Sequence, residues 1–194
     1  MIRRNTRDEK AMRLFELHFA QQEIKDWVQF RRTRLDQDNR VMLRKTAQIQ
    51  DRCLEDRLFA EGFRSENVMA LEVYPVAKTA WASGSVSPEE QSESLQIITE
   101  LGLDDSYKAR ELFQEWLEKE PSSRLWSLWE SFIRARSQWL PPSDFQDRCA
   151  GIYSACHKVA MASGGIWGIG RISPAEQRVL NKVKRVFELV KGVR

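Results

Sequence analysis

The chain spells the same helix boundary twice. Residues 80–91 read Ala-Trp-Ala-Ser-Gly-Ser-Val-Ser-Pro-Glu-Glu-Gln; residues 160–177 read Ala-Met-Ala-Ser-Gly-Gly, six further residues, then Ile-Ser-Pro-Ala-Glu-Gln. In both copies an apolar run at helical spacing stops at Ser-Gly, and glycine is the usual residue just past a helix end. In both, Ser-Pro-x-Glu then opens another helix. The serine caps it, proline takes the first helical position, and glutamate three residues on completes a capping box. A corner written twice predicts two helix–turn–helix halves packed face to face. It directs the fold away from sheets, as do the short β-branched runs and the scarcity of Gly and Pro, 9 and 6 residues.

The rest of the body follows the same punctuation. Val68 to Ala82 is apolar apart from Glu72, Lys78 and Thr79, which predicts a buried helix with Pro75 marking its start or a kink. The helix opened by Ser87 should run to Leu101 and stop at Gly102. Asp104-Asp105-Ser106 should cap the next, with Ala109, Leu112, Phe113, Trp116 and Leu117 on one stripe. Ser122 or Ser123 opens a helix bearing Leu125, Trp126, Leu128, Trp129, Phe132 and Ile133. Pro141-Pro142 breaks the chain, and Ser143-Asp144 starts a helix reaching about Ser163, with Cys149, Ile152, Tyr153, Cys156, Val159 and Ala160 inward. The last helix, from Ser173, carries Val179, Leu180, Val183, Val186, Phe187 and Val190. Residues 64–194 are thus expected to form a six-helix body.

Residues 1–63 read as a helical arm. Between 7 and 61 there is neither Gly nor Pro. Ala11, Leu14, Phe15 and His18, then Ile24, Trp27, Val28, Arg31 and Leu35, then Leu43, Ala47, Gln50, Leu54 and Leu58 recur at spacings compatible with one helix face. Asp36-Gln37-Asp38-Asn39 is the best candidate for a turn, so two antiparallel helices or one long bent helix both fit. The heptad-like seam has polar gaps, and the arm is expected to lean on something else. The fold class is all-α: an N-terminal helical hairpin or long helix on a body of two helix–turn–helix halves.

Charge narrows the partners. The 31 basic and 28 acidic residues leave a net +3, too little for the field of a dedicated nucleic-acid binder. The basic segments, Arg31-Arg32-Thr33-Arg34 and Lys182 to Lys191, leave room only for a weak nucleic-acid or membrane-surface contact, and basic residues at a helix C-terminus are explained by its dipole. Cys53, Cys149 and Cys156 include no CxxC; Cys149 and Cys156 stand roughly 10 Å apart along one helix, too far to bridge. A reducing compartment follows. With no signal peptide read at the N-terminus and no run near the ~20 apolar residues of a membrane span, a cytoplasmic protein is expected.

Ala-x-Ala-Ser-Gly, a short loop, Val or Ile, then Pro-x-Glu resembles the turn of the helical tellurite-resistance TerB-like superfamily. Ala80, Ala82, Gly84, Val86 and Glu90 carry the closer match, and residues 159–190 the looser one; together the resemblance covers about residues 68–190. It implies a helical body, a stress-related role, and divalent metal held by acids at the turns. Here the usual Asp is Ser83 in one copy and Ser163 in the other, leaving Glu89, Glu90 and Glu176. Calcium takes six to eight oxygens, so no metal and no cofactor are expected. The loop Gly164-Gly165-Ile166-Trp167-Gly168-Ile169-Gly170 lacks the Gly-Lys-Ser/Thr ending of a phosphate loop and follows a helix, not a strand. Its Ile166, Trp167 and Ile169 read as a hydrophobic tip that packs on the protein itself or meets a partner. Catalytic motifs are absent: His18 and His157 are remote in sequence, and Cys156 beside His157 points elsewhere on a helix.

The expectation is a non-enzymatic interaction or scaffold module. Trp27, Arg31, Arg32, Ile166, Trp167 and Ile169 are the partner-binding candidates, and the partner is another protein or a second copy. The competing readings are a divalent-metal protein at the turns and a weak binder of nucleic acid or membrane surface.

Overall fold

A computed structural model describes residues 6–103, 106–162 and 172–191. Among them are eight α-helices and no strand: α1 Thr6–Ala47, α2 Arg52–Ala60, α3 Tyr74–Ala80, α4 Pro88–Glu100, α5 Tyr107–Glu118, α6 Arg124–Ser137, α7 Pro142–Ala162 and α8 Pro174–Lys191. Short 3-10 stretches at Val68–Val73 and Trp81–Ser83 bracket α3. The all-α class holds, with two helices followed by six.

The chain divides into two compact units, Met1–Asn39 and Arg40–Arg194. The described residues of the first, 6–39, all belong to α1, so of the two alternatives the long helix stands and the turn at Asp36–Asn39 is overturned: α1 runs through those positions without a break. Four polar residues lacking Gly and Pro give a helix no reason to stop. It stops at Gln48, whose φ of 52° puts it in the left-handed region. The Ile49 N–H donates to the Arg44 carbonyl at 3.2 Å and the Gln48 N–H to the Lys45 carbonyl at 3.4 Å, a Schellman closure with glutamine in the place glycine usually takes.

The second unit begins at Arg40, whereas the sequence put the body's edge at 64. The reason is burial. Leu43, Ala47, Ile49, Leu54, Leu58 and Phe63 all belong to the main core. Asp51 caps α2 by accepting from the Cys53 and Leu54 N–H groups at 2.8 and 3.1 Å. Buried Glu55 on α2 meets Arg44 at 3.1 Å and Arg40 at 3.4 Å.

Within this unit α3 packs on α7, α4 also packs on α7, and α8 also packs on α3. The second helix of each half therefore rests on the first helix of the other. The segment before α3 is 3-10 rather than α-helical because Pro75 has no N–H to offer the Leu71 carbonyl; the Tyr74 N–H takes that carbonyl instead. Trp129, fully buried, meets Trp126 at a tilt with ring centres 5.2 Å apart and Phe187 edge-on at 5.7 Å, tying α6 to α8. Trp116 meets Tyr74 edge-on at 5.8 Å, and its carbonyl accepts from the Trp81 indole N–H at 2.7 Å. The tryptophan stripe is core, apart from half-exposed Trp139.

Candidate protein-interaction surface

The capping box that opens the second helix forms at both corners. Ser87 N–H donates to Glu90 Oε2 at 2.7 Å while the Glu90 N–H donates to Ser87 Oγ at 3.2 Å. Ser173 and Glu176 repeat this at 2.6 and 3.2 Å. Gly84, at φ 96°, ends the stretch before the first corner. Both capping glutamates are buried, only 2% and 1% exposed. Burial pushes the Glu90 carboxyl above its ordinary range; hydrogen bonds from Ser87 pull it back, and the charges of Glu176 and Glu89 push it up again. Glu90 Oε1 is buried without a hydrogen-bond partner, as is Ser94 Oγ one turn on. Carboxyls held by their own caps are poor metal ligands. Glu89 is exposed, and among the described residues no group of three or more His, Cys, Asp or Glu is placed to hold a metal ion. Ser163 and the loop bearing Ile166, Trp167 and Ile169 lie outside the described residues.

A second polar cluster escaped the sequence reading. Glu72, 6% exposed, takes Arg148 Nη1 at 3.3 Å and lies 3.8 Å from Arg136 Nη2. Arg136 is 2% exposed and donates to the Ala47 carbonyl at 3.3 Å. Burial lowers the Arg136 pKa against the pull of Glu72, and Arg148 lowers it further. The cluster sits in an open cleft of about 710 Å³ whose apolar wall includes Met69, Val73 and Leu101. It joins the Val68–Val73 stretch to α6 and α7. A lone acid in an apolar run was the available signal, since a buried carboxylate requires a partner.

Nucleophilic chemistry has little material among the described residues. Cys156 is fully buried beside Thr79, and burial pushes its thiol up to about 12. Cys149 is buried too, whereas Cys53, His18 and His157 are exposed.

Among the described residues the exposed large apolar side chains are concentrated on α1. Met12, Leu17, Phe19, Ile24, Trp27, Val28, Phe30 and Leu35 are each between 54% and 67% exposed. At about 3.6 residues per turn they form two stripes roughly 145° apart: Leu17, Ile24, Val28 and Leu35 on one, Met12, Phe19 and Phe30 on the other, with Trp27 between. Of the predicted partner residues, Trp27, Arg31 and Arg32 stand exposed here. The Arg31 guanidinium lies over the Trp27 ring at 4.5 Å from its centre, a cation–π pair one helical turn long. Gln22 donates to Asp26 at 3.2 Å, an ordinary rung on a solvated side of the helix.

Among the described residues no helix is long and apolar enough to cross a membrane. Comparison with family models, curated proteins and solved structures returned no match to this chain.

Proposed function

We propose that the chain is a protein-interaction module that binds through α1, carried on a TerB-like helical body. One observation carries the reading: eight large apolar side chains between Met12 and Leu35 are each more than half exposed. Soluble monomers rarely expose contiguous apolar patches beyond a few hundred Å². An isolated helix is also marginal in water, because most helix stability comes from burying an amphipathic face. Trp27 with Arg31 across its ring supplies the aromatic and guanidinium groups that concentrate binding energy at interfaces. Interleaved charges on the same helix favour a protein surface over nucleic acid.

Capture from cell extract by the full chain, compared with a Met12→Asp/Phe30→Asp chain, tests this. Loss of a reproducible bound protein, identified by mass spectrometry, is expected. An unchanged set of bound proteins sinks the α1 reading.

A further inference from the structure

We propose that one occupant of α1 is a second copy of this chain, paired antiparallel along the Leu17–Leu35 stripe; this rests on the reading of α1 as an interaction helix. Taken in heptads, the inward positions from 17 to 35 are Leu17, Gln21, Ile24, Val28, Arg31 and Leu35. Their polarity is a palindrome: apolar, polar, apolar, then apolar, polar, apolar. A two-fold interface must be self-complementary, and a palindromic seam meets that condition head to tail. With the axis beside Asp26, Leu17 faces Leu35, Ile24 faces Val28, and Gln21 faces Arg31, each layer occurring twice over a seam of about 27 Å. No layer sets a polar group against an apolar one.

Charge chooses the direction. A parallel pair in the same register would set Arg31 on Arg31 in the seam and bring Arg31, Arg32 and Arg34 alongside their own copies. The antiparallel pair sets Arg31 against the Gln21 amide, whose oxygen accepts from a guanidinium. It also lays Arg31 to Arg34 along residues 18–21, which contain no Lys or Arg. Trp27 then flanks the axis beside its copy. Lys25 meets its copy on the other side with Asp26 adjacent, the one like-charge contact of this register. Shifting the register by one heptad places Val28 against Arg31 or Gln21 against Ile24, so one alignment keeps every layer matched. The Met12, Phe19 and Phe30 stripe lies away from this seam and is left for a different protein.

Two experiments on the full chain decide it. Light scattering during size exclusion should give twice the 22.7 kDa chain mass, and Ile24→Asp/Val28→Asp should return it to one chain that still unfolds cooperatively in urea. A single-chain mass for the unaltered protein up to about 100 μM overturns the proposal, while the Met12→Asp/Phe30→Asp capture result independently decides the wider reading. Orientation is read by disulfide trapping in a Cys53→Ser background, which removes the one exposed thiol. A mixture of Leu17→Cys and Leu35→Cys chains should cross-link while neither does alone. Cross-linking of each alone, and none between them, establishes a parallel pair and overturns the antiparallel assignment.

Discussion

Helices α1 and α8 are both long, strongly charged and striped, and they meet opposite fates. In α8, Leu180, Val183, Val186, Phe187 and Val190 fall on one stripe, and all five are buried. In α1 seven of the eight described large apolar side chains from Met12 to Leu35 fall on two stripes with Trp27 between them, and all eight are exposed. One stripe lets α8 lie with a single face against α3, α6 and α7; two stripes leave α1 apolar on two sides. Placement of apolar residues around the helix, rather than their number, distinguishes α8 from α1.

The sharpest test of that contrast is to remove what α8 and its neighbours share. Trp129 is fully buried against Trp126 and Phe187, and its indole N–H donates to the Glu72 carbonyl at 3.3 Å. Trp129→Ala should cost about 3–5 kcal/mol in urea unfolding. A loss below 1 kcal/mol would mean that α6 and α8 are not held by this ring. Glu72→Ala should rank next, at about 3 kcal/mol, because it leaves Arg136 buried without its carboxylate. Arg148→Ala, at a side chain 48% exposed, should cost under about 1 kcal/mol. Equal costs for the two variants would show that the pair facing solvent, not the buried one, holds the cluster.

The features legible in the sequence are those whose causes are local. Each capping box depends on a serine and a glutamate three residues apart, and both formed. Gln48 was not legible, because its left-handed turn is imposed by Ile49 being drawn into the core rather than by any preference of glutamine. Asp36–Asn39 misled for the converse reason: turn-prone residues stay helical where no distant contact rewards a turn. Glu72 announced that it needed a partner, but Arg136 and Arg148 lie on helices far along the chain. In α1 the period was readable and the cover was not, since an amphipathic stripe does not name what lies over it.

The repeated corners give a smaller, pH-dependent effect. A carboxyl whose folded pKa is raised stabilises the fold when protonated. Its contribution is fully present below the ordinary value of 4.5 and is lost as pH rises through the folded value. The unfolding free energy should therefore decline from about pH 4.5 towards neutrality on account of Glu90. Glu90→Gln should flatten that decline, because the amide oxygen can still accept the Ser87 N–H and does not titrate. Glu90→Ala should lose about 1 kcal/mol across the range. Parallel pH profiles for Glu90→Gln and the unaltered chain would show that Glu90 is ionised when folded.

The smallest expected effect falls on α1. Ile24→Ala and Trp27→Ala remove side chains 64% and 59% exposed, so they forfeit little burial within one chain. Urea unfolding followed by circular dichroism, at protein concentrations too low for association, should change by less than about 0.5 kcal/mol. The same variants at high concentration should melt earlier than the unaltered chain, because binding to the native state adds stability by mass action. A loss above 1 kcal/mol in the dilute sample would mean that these side chains are already covered within a single chain. In that case α1 would belong with α8, and the contrast between a covered and an open stripe would fail.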